Sequence, residues 1–386
     1  MATPRAFLRV GGATLARHQL MLALAAGSER IVCFARALDP EMIELQHAAE
    51  AAGARFHMVA GGRGLAALVT TADEVLVLAE GLIPPRGEVP ALLLKPVVLV
   101  QPADSAIQSG FERIDIDHAS AGMMLVPGHL IERLNHLPDD ADPASALLRI
   151  ALQGGVAQRL VPEAMRTSGH WLLVRDESEA HAAELDWVEQ QTRGQGYSPG
   201  LFVAAWFARR FGPSLLHAGS GSTAFTFSAV ALAGFAGFAG WFGQYALALG
   251  LCGLAWVSQR SGAMLEQIRA AASGGASALL ARRQPFGIVL DAIIAALATL
   301  ATTPYGGEPL WHRAFPALAL LGLIQLVPRI GKGRWRSWLC DRLLACLLLG
   351  GLAQFDLMLW AVPGLVIALL ATAILVPARF TGLTRV

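Results

Sequence analysis

From about residue 223 onward the chain is almost continuously apolar, and that run limits what the polypeptide can fold into. Hydrophobic residues make up 54% of the whole and charged residues only 15%, with a mean hydropathy of +0.50. A soluble domain carries about 25% charged residues. The excess is uneven, because residues 1–195 hold most of the Asp and Glu. The composition predicts a soluble domain over 1–195, a linker over 196–219 and a membrane domain over 220–386. A net charge of +1, with no basic face in the first half, argues against nucleic acid as a partner. The opening MATPRAFLRVGG has no apolar core of the secretory kind. Cys33, Cys252, Cys340 and Cys346 are scattered without a CxxC, so neither a zinc site nor a disulfide framework is expected. Cys340 and Cys346 read as small buried hydrophobes.

The first half alternates strand and helix. Residues 12–27 and 40–53 read as helices. Strands are expected at 31–36, Phe56–Ala60, Glu74–Ala79, Val97–Gln101 and 121–127, the last followed by a helix over HLIERLNHL. Such alternation predicts a Rossmann-like α/β domain with a mostly parallel sheet covered on both faces, and ligands at the carboxyl ends of its strands. Acidic candidates at strand ends are Glu80 and Asp104; Asp115 and Asp117 read as a solvated edge. His129 and His136 read as an exposed helix face, and Ser220–Thr223 as a turn or cap.

In the second half, SPGLFVAAWFARRFGPSLL combines Phe202, Trp206, Phe207 and Phe211 with Arg209 and Arg210. It reads as an amphipathic helix lying at a lipid boundary. Six apolar spans follow, at about 223–240, 241–258, 285–303, 312–328, 337–354 and 357–378. Arg260, Arg269, Arg282 and Arg283 fall between the second and third, and Arg329, Lys332, Arg334 and Arg336 between the fourth and fifth. The connections on the opposite side hold Glu308 with Arg313, then Asp356. The basic connections predict a multi-pass protein of the cytoplasmic membrane with both termini in the cytoplasm.

Within that apolar half lies QPFGIVLDAIIA, residues 284–295, with Gly287 and Asp291 four apart on one helix. A carboxylate in such a segment costs about 2.5–3.5 kcal/mol on insertion scales and usually has a task. Arg282, Arg283 or water would satisfy it.

Two resemblances bear on that task. PRAFLRVGGATLARHQL, through Arg5, Val10, Gly11, Gly12, Thr14, Leu15, Gln19 and Leu20, resembles the early part of sugar-nucleotide and inositol-phosphate nucleotidyltransferases. WLLVRDESEAHAAEL, through Trp171, Val174, Glu179 and Glu184, is similar to that family's closing pattern. The order of cytoplasmic α/β domain, interfacial helix and six spans resembles the CDP-alcohol phosphotransferases fused to an inositol-1-phosphate cytidylyltransferase. Their signature, D-x-x-D-G-x-x-A-R and then G-x-x-x-D-x-x-x-D, implies two Mg²⁺ ions that bridge a CDP-alcohol diphosphate, and an aspartate base. Aligned on Gly287, it keeps Gly274, Gly287 and Asp291. The other acids fall on Ala270 and Ser273, and the base on Ala295.

The resemblance thus implies a membrane protein tied to polar-lipid or inositol-phosphate headgroup synthesis, catalytically degenerate and acting as a binding or scaffold subunit in a homo- or hetero-oligomer. Its candidate binding residues are Gly274, Gly287, Asp291, Arg269, Arg282 and Arg283, with membrane lipids and a CDP-alcohol or other phosphate-bearing molecule as ligands. Asp291 is the one candidate metal residue. An active phosphotransferase using Mg²⁺ or the arginines, and a small-molecule transporter, are the alternative readings.

Overall fold

The computed structural model describes residues 4–35, 37, 39–84, 89–138, 141–167, 171–192, 198–217, 221–273, 284–302, 309–330, 335–339 and 341–375. The chain divides into two compact units, Met1–Trp187 (joined by Ala272–Gly274) and the remainder from Val188. The first is an α/β unit with mixed sheet; the second is helical.

The α/β unit opens with a miniature hairpin, β1 (Arg9–Val10) and β2 (Ala13–Thr14). Gly11 and Gly12 both hold positive φ, 64° and 80°. That is the backbone of a two-residue turn matched to strand twist, which only glycine adopts at little cost. The V-G-G run is thus a hairpin corner. It replaces the first turn of the helix expected from residue 12. Thr14 then caps α1 (Leu15–Ala25) by accepting from the Arg17 N–H.

Next come β3 (Arg30–Phe34), α2 (Pro40–Ala51), β4 (Arg55–Val59), the short α3 (Gly62–Ala66), β5 (Glu74–Leu78) and β6 (Leu82–Ile83). They are followed by β7 (Val97–Pro102), α4 (Ala103–Gln108), β8 (His118–Pro127), α5 (Gly128–Ile131), α6 (Pro143–Gln153) and β9 (Ala157–Leu160). The unit closes with α7 (Glu163–Thr167), β10 (Leu172–Leu173) and α8 (Glu177–Thr192), which runs on into the second unit.

The main sheet has the order β5-β8-β7-β9, and β3 pairs with β4 in a separate parallel pair. The mostly parallel sheet expected from the sequence is corrected to a mixed one. β8 runs antiparallel to both β5 and β7, and only β7–β9 is parallel. The cause is local. After β7 the chain passes through α4 and returns to the same end of the strand, where the Ala103 N–H bonds the Asp117 carbonyl, so β8 starts beside the end of β7 and runs back along it.

Coverage on both faces is as expected. Val97, Leu99, Met123 and Leu125 join one buried cluster with Leu22, Leu82 and Trp171. Their neighbours Val98, Val100, Met124 and Val126 join another with Leu130, Ile131, Leu147 and Leu148. This alternation marks strands buried on both sides. The helix expected at HLIERLNHL is the single turn α5 followed by a 3-10 segment over Glu132–His136.

The helical unit contains α9 (Pro199–His217), α10 (Gly221–Trp241), α11 (Tyr245–Ser273), α12 (Gln284–Leu300) and α13 (Leu310–Ile330), then the short α14 (Trp335–Leu339), α15 (Arg342–Gln354) and α16 (Met358–Leu375). Among the described residues one helix, over Thr223–Trp241, is long and apolar enough to cross a membrane. Pro285–Leu300, Leu310–Leu326, Arg342–Gln354 and Met358–Thr372 are apolar but shorter.

Two expected spans change form. The second is the first half of α11, a continuous 29-residue helix, so Arg260 and Arg269 stand on a helix and not in a loop. SQRSGAMLEQIRAAAS has four alanines and no Pro, and its one glycine, Gly262, costs a helix only about 1 kcal/mol, so the helix continues. The fifth span is split where Asp341 leaves helical geometry and caps α15.

Candidate functional site

α12 carries Asp291 to the inside of the helical unit. Ile288 and Val289 of the same helix are exposed, whereas Leu290, Asp291, Ile294 and Ala295 are buried. Both carboxylate oxygens have strong donors. Arg342 Nε donates to Oδ1 at 3.1 Å, and Arg342 Nη2 donates to Oδ2 at 3.0 Å. Gln325 Nε2 on α13 donates to Oδ2 at 2.6 Å. The planar fork of arginine matches the carboxylate at two points. One knot thereby joins α12, α13 and α15. The expected partners Arg282 and Arg283 lie outside the described residues; among the described residues the partners of Asp291 are Arg342 and Gln325.

Arg342 is placed by its neighbour. Asp341 is almost fully buried and accepts from the Leu344 N–H at 3.2 Å, which starts α15 and sets Arg342 in its first turn. The other oxygen of Asp341 accepts from the Gly200 N–H at 2.6 Å, fixing the start of α9. A Cβ on Gly200 would lie 2.3 Å from Asp341 Oδ1 and 2.7 Å from the Trp256 ring, so this junction excludes any side chain there.

α9 packs through Ala204, Ala205 and Ala208, and the Ala204 carbonyl accepts from Ser261 Oγ at 3.1 Å. Phe202, Trp206 and Phe211 point outward, and the Arg210 guanidinium lies 5.9 Å from the Phe211 ring centre. The aromatic face read from the sequence is therefore present, on a helix that is also docked by its small residues.

Two of the remaining candidates fall within the described residues. Arg269 is exposed near the end of α11. Gly287 lies one turn before Asp291, with open space around it. Gly274, Arg282 and Arg283 lie outside the described residues. The aligned positions Ala270 and Ser273 end α11, and Ala295 is buried on α12 with its carbonyl bonded by Thr299.

Mg²⁺ does not fit this chemistry. It wants near-octahedral oxygen coordination, yet the oxygens of Asp291 are taken by a guanidinium and an amide. Among the described residues no three His, Cys, Asp or Glu side chains gather.

In the α/β unit the residues that carried the first resemblance have structural tasks. Gln19 Nε2 donates to the carbonyls of Ala79 at 2.7 Å and Leu82 at 3.1 Å, pinning α1 to the end of β5. Trp171 Nε1 donates to the Ala121 carbonyl inside the core. Glu179 pairs with Arg175, whose guanidinium bond holds the carboxyl below its ordinary range. Glu80 accepts from the Ala6 N–H at 3.2 Å. Asp115 sits in the turn before β8, and the His118 N–H holds its carboxyl low.

Sequence reasoning missed Gln325, Asp341 and Arg342. The signal was present, because Asp341 and Arg342 fall inside the apolar window 337–354, where an ionisable residue calls for a partner. No protein-family model and no curated protein matches this chain.

Proposed function

We propose that the chain is a multi-pass membrane protein of the CDP-alcohol phosphotransferase type that has lost catalysis and serves as a binding or scaffold subunit in polar-lipid or inositol-phosphate headgroup synthesis. The observation that carries this reading is the closed knot of Asp291, Arg342 and Gln325 at the position where the resemblance places a metal ligand. A guanidinium there does electrostatically what a cation would have done. It neutralises the carboxylate without offering open coordination sites, and one aspartate shared with arginine cannot grip two divalent ions.

The membrane part of the reading is supported by how the helices sort their side chains. On α10, Ala229, Ala233, Ala236 and Ala239 are buried while Phe227, Phe235, Phe238 and Trp241 face outward. Trp311, Phe315 and Leu318 on α13 and Trp360, Ile367 and Ile374 on α16 also face outward. Small residues inside and large apolar ones outside suit helices that pack in lipid. In water so much exposed apolar surface would drive association. The basic connections then lie on the cytoplasmic side, and the outward aromatics of α9 sit at its lipid boundary.

The test is transfer from a CDP-alcohol to a polyol in membranes containing the full chain, with Mg²⁺ or Mn²⁺. No transfer above membranes lacking the chain is expected. Metal-dependent transfer that Asp291→Asn abolishes would overturn the reading in favour of an active enzyme. Alkaline carbonate washing should leave the chain in the membrane pellet, and its release would overturn the membrane assignment.

A further inference from the structure

A cavity of about 150 Å³ lies in the helical unit, bounded by α9, α11 and α14. One face of α11 builds most of it. Trp256, Arg260, Met264 and Gln267 recur about a turn apart along that face. Leu201 closes the cavity from α9 and Ser337 from α14. Asp291, Gly287 and Arg269 take no part in its wall.

The wall is amphipathic, and its parts are held in place. Trp256 is buried, and a Cβ on Gly200 would come within 2.7 Å of its ring, so the indole is wedged against the start of α9. The Arg260 guanidinium lies over that ring, 5.4 Å from its centre. Stacking of this kind uses the face of the guanidinium, and its N–H groups radiate in the plane, where they can meet an oxyanion. Met264 and Leu201 supply apolar surface, and Gln267 and Ser337 supply amide and hydroxyl donors. No described carboxylate lines the cavity.

Size, charge and depth narrow the ligand. Pockets for drug-sized molecules run from about 300 Å³ upward, so this cavity is too small for a nucleotide and suits a phosphate ester with a few carbons. One guanidinium balances the single negative charge of a phosphodiester. With no described carboxylate to meet an ammonium, an aminated headgroup gains nothing here, whereas a hydroxylated one meets Gln267 and Ser337. The aromatic residues next in sequence to the wall, Phe202 and Trp338, are exposed. Outward aromatic rings beside a cation suit the headgroup level of a bilayer.

We propose that this cavity holds the phosphodiester of an anionic phospholipid with a hydroxylated headgroup, of the phosphatidylglycerol class, with Arg260 as its anion-binding group. The lipid is held as a ligand and undergoes no reaction there. This inference rests on the membrane assignment proposed above and not on the loss of catalysis.

The test is native mass spectrometry of the full chain, purified in detergent and stripped of lipid. The probes are phosphatidylglycerol and phosphatidylethanolamine with identical acyl chains, and glycerol phosphate. Phosphatidylglycerol should bind at least about tenfold more tightly than phosphatidylethanolamine, and glycerol phosphate should not displace it. Arg260→Gln should weaken phosphatidylglycerol binding at least about tenfold, the size of a lost charge-assisted hydrogen bond. Lys95→Gln, which removes an exposed positive charge from the α/β unit, should not. Ala263→Trp fills the cavity with Arg260 in place and should block the lipid as well. Equal binding of the two lipids overturns the proposal without any variant, and so does an Arg260→Gln protein that binds as the parent does. Displacement by glycerol phosphate would overturn the lipid and make a free phosphate ester the ligand. A chain that stays in the carbonate pellet yet shows no preference sinks this inference alone, whereas release by carbonate sinks the membrane assignment itself.

Discussion

The two units bury opposite kinds of residue. In the α/β unit Leu99, Met123, Ile131 and Leu147 are fully enclosed, and among its described carboxylates only that of Glu184 is buried. In the helical unit the interior is rich in alanine, the phenylalanines of α10 face out, and the carboxylates of Asp291 and Asp341 are inside. The first pattern is what water imposes on a fold. The second relies on close approach of small residues and on polar ties between helices. Charge therefore has different weight in each half. The Arg175–Glu179 pair decorates a surface, whereas the Asp291–Arg342 pair is structural.

The sharpest way to break that contrast is Arg342→Ala. Removing one partner leaves a buried carboxylate uncompensated, which costs about 3–5 kcal/mol. A large fall in the thermal midpoint of the detergent-solubilised protein is expected. Replacing both partners with apolar residues of similar volume, Asp291→Leu with Arg342→Met, should recover most of the loss. If Arg342→Ala leaves the midpoint unchanged, the knot is not structural and Asp291 is available for other work.

A pair of truncations tests the packing side. Leu147→Ala opens a cavity under β7 and β8 and should cost about 2–5 kcal/mol. Phe235→Ala removes a larger side chain from the outer face of α10 and should stay within about 0.5 kcal/mol in detergent. Equal losses would mean that the outer face of α10 packs against protein. A smaller effect tests the junction at Asp341. Gly200→Ala should cost about 1–3 kcal/mol through overpacking, and Gly287→Ala, with open space around it, should not.

Legibility in the sequence also divides between the halves. Strands β3, β4, β5 and β7 lie within two residues of where apolar runs placed them, because turn residues bracket each run. The direction of β8 was not legible, since periodicity reports which face is buried and not which way a strand runs. In the helical half, hydropathy located the apolar stretches but joined what Asp341 separates and cut what α11 continues. A window average cannot sense a cap, nor a helix that runs past its apolar half. Asp291 stood out as a lone carboxylate. Its partners did not, because Gln325 and Arg342 lie 34 and 51 positions away and only packing brings them together.

The mildest test concerns a carboxylate of the first kind. Asp73, between α3 and β5, accepts from the Thr70 N–H at 2.8 Å and the Thr70 hydroxyl at 2.9 Å, and pairs with Arg30. The Thr70 backbone bond, then its hydroxyl, then Arg30 lower its pKa from 3.8 to about 2. The folded state thus favours the ionised form. Its contribution is complete above the unfolded value near 3.8 and disappears as pH falls through about 2. Proteolysis of the full chain in denaturant, followed on peptides from the α/β unit, should show its stability declining across that window. Asp73→Asn should flatten the decline and leave the midpoint of the helical unit where it was. A matching shift in the helical peptides would mean that the two units unfold as one and that their opposite packing does not make them independent.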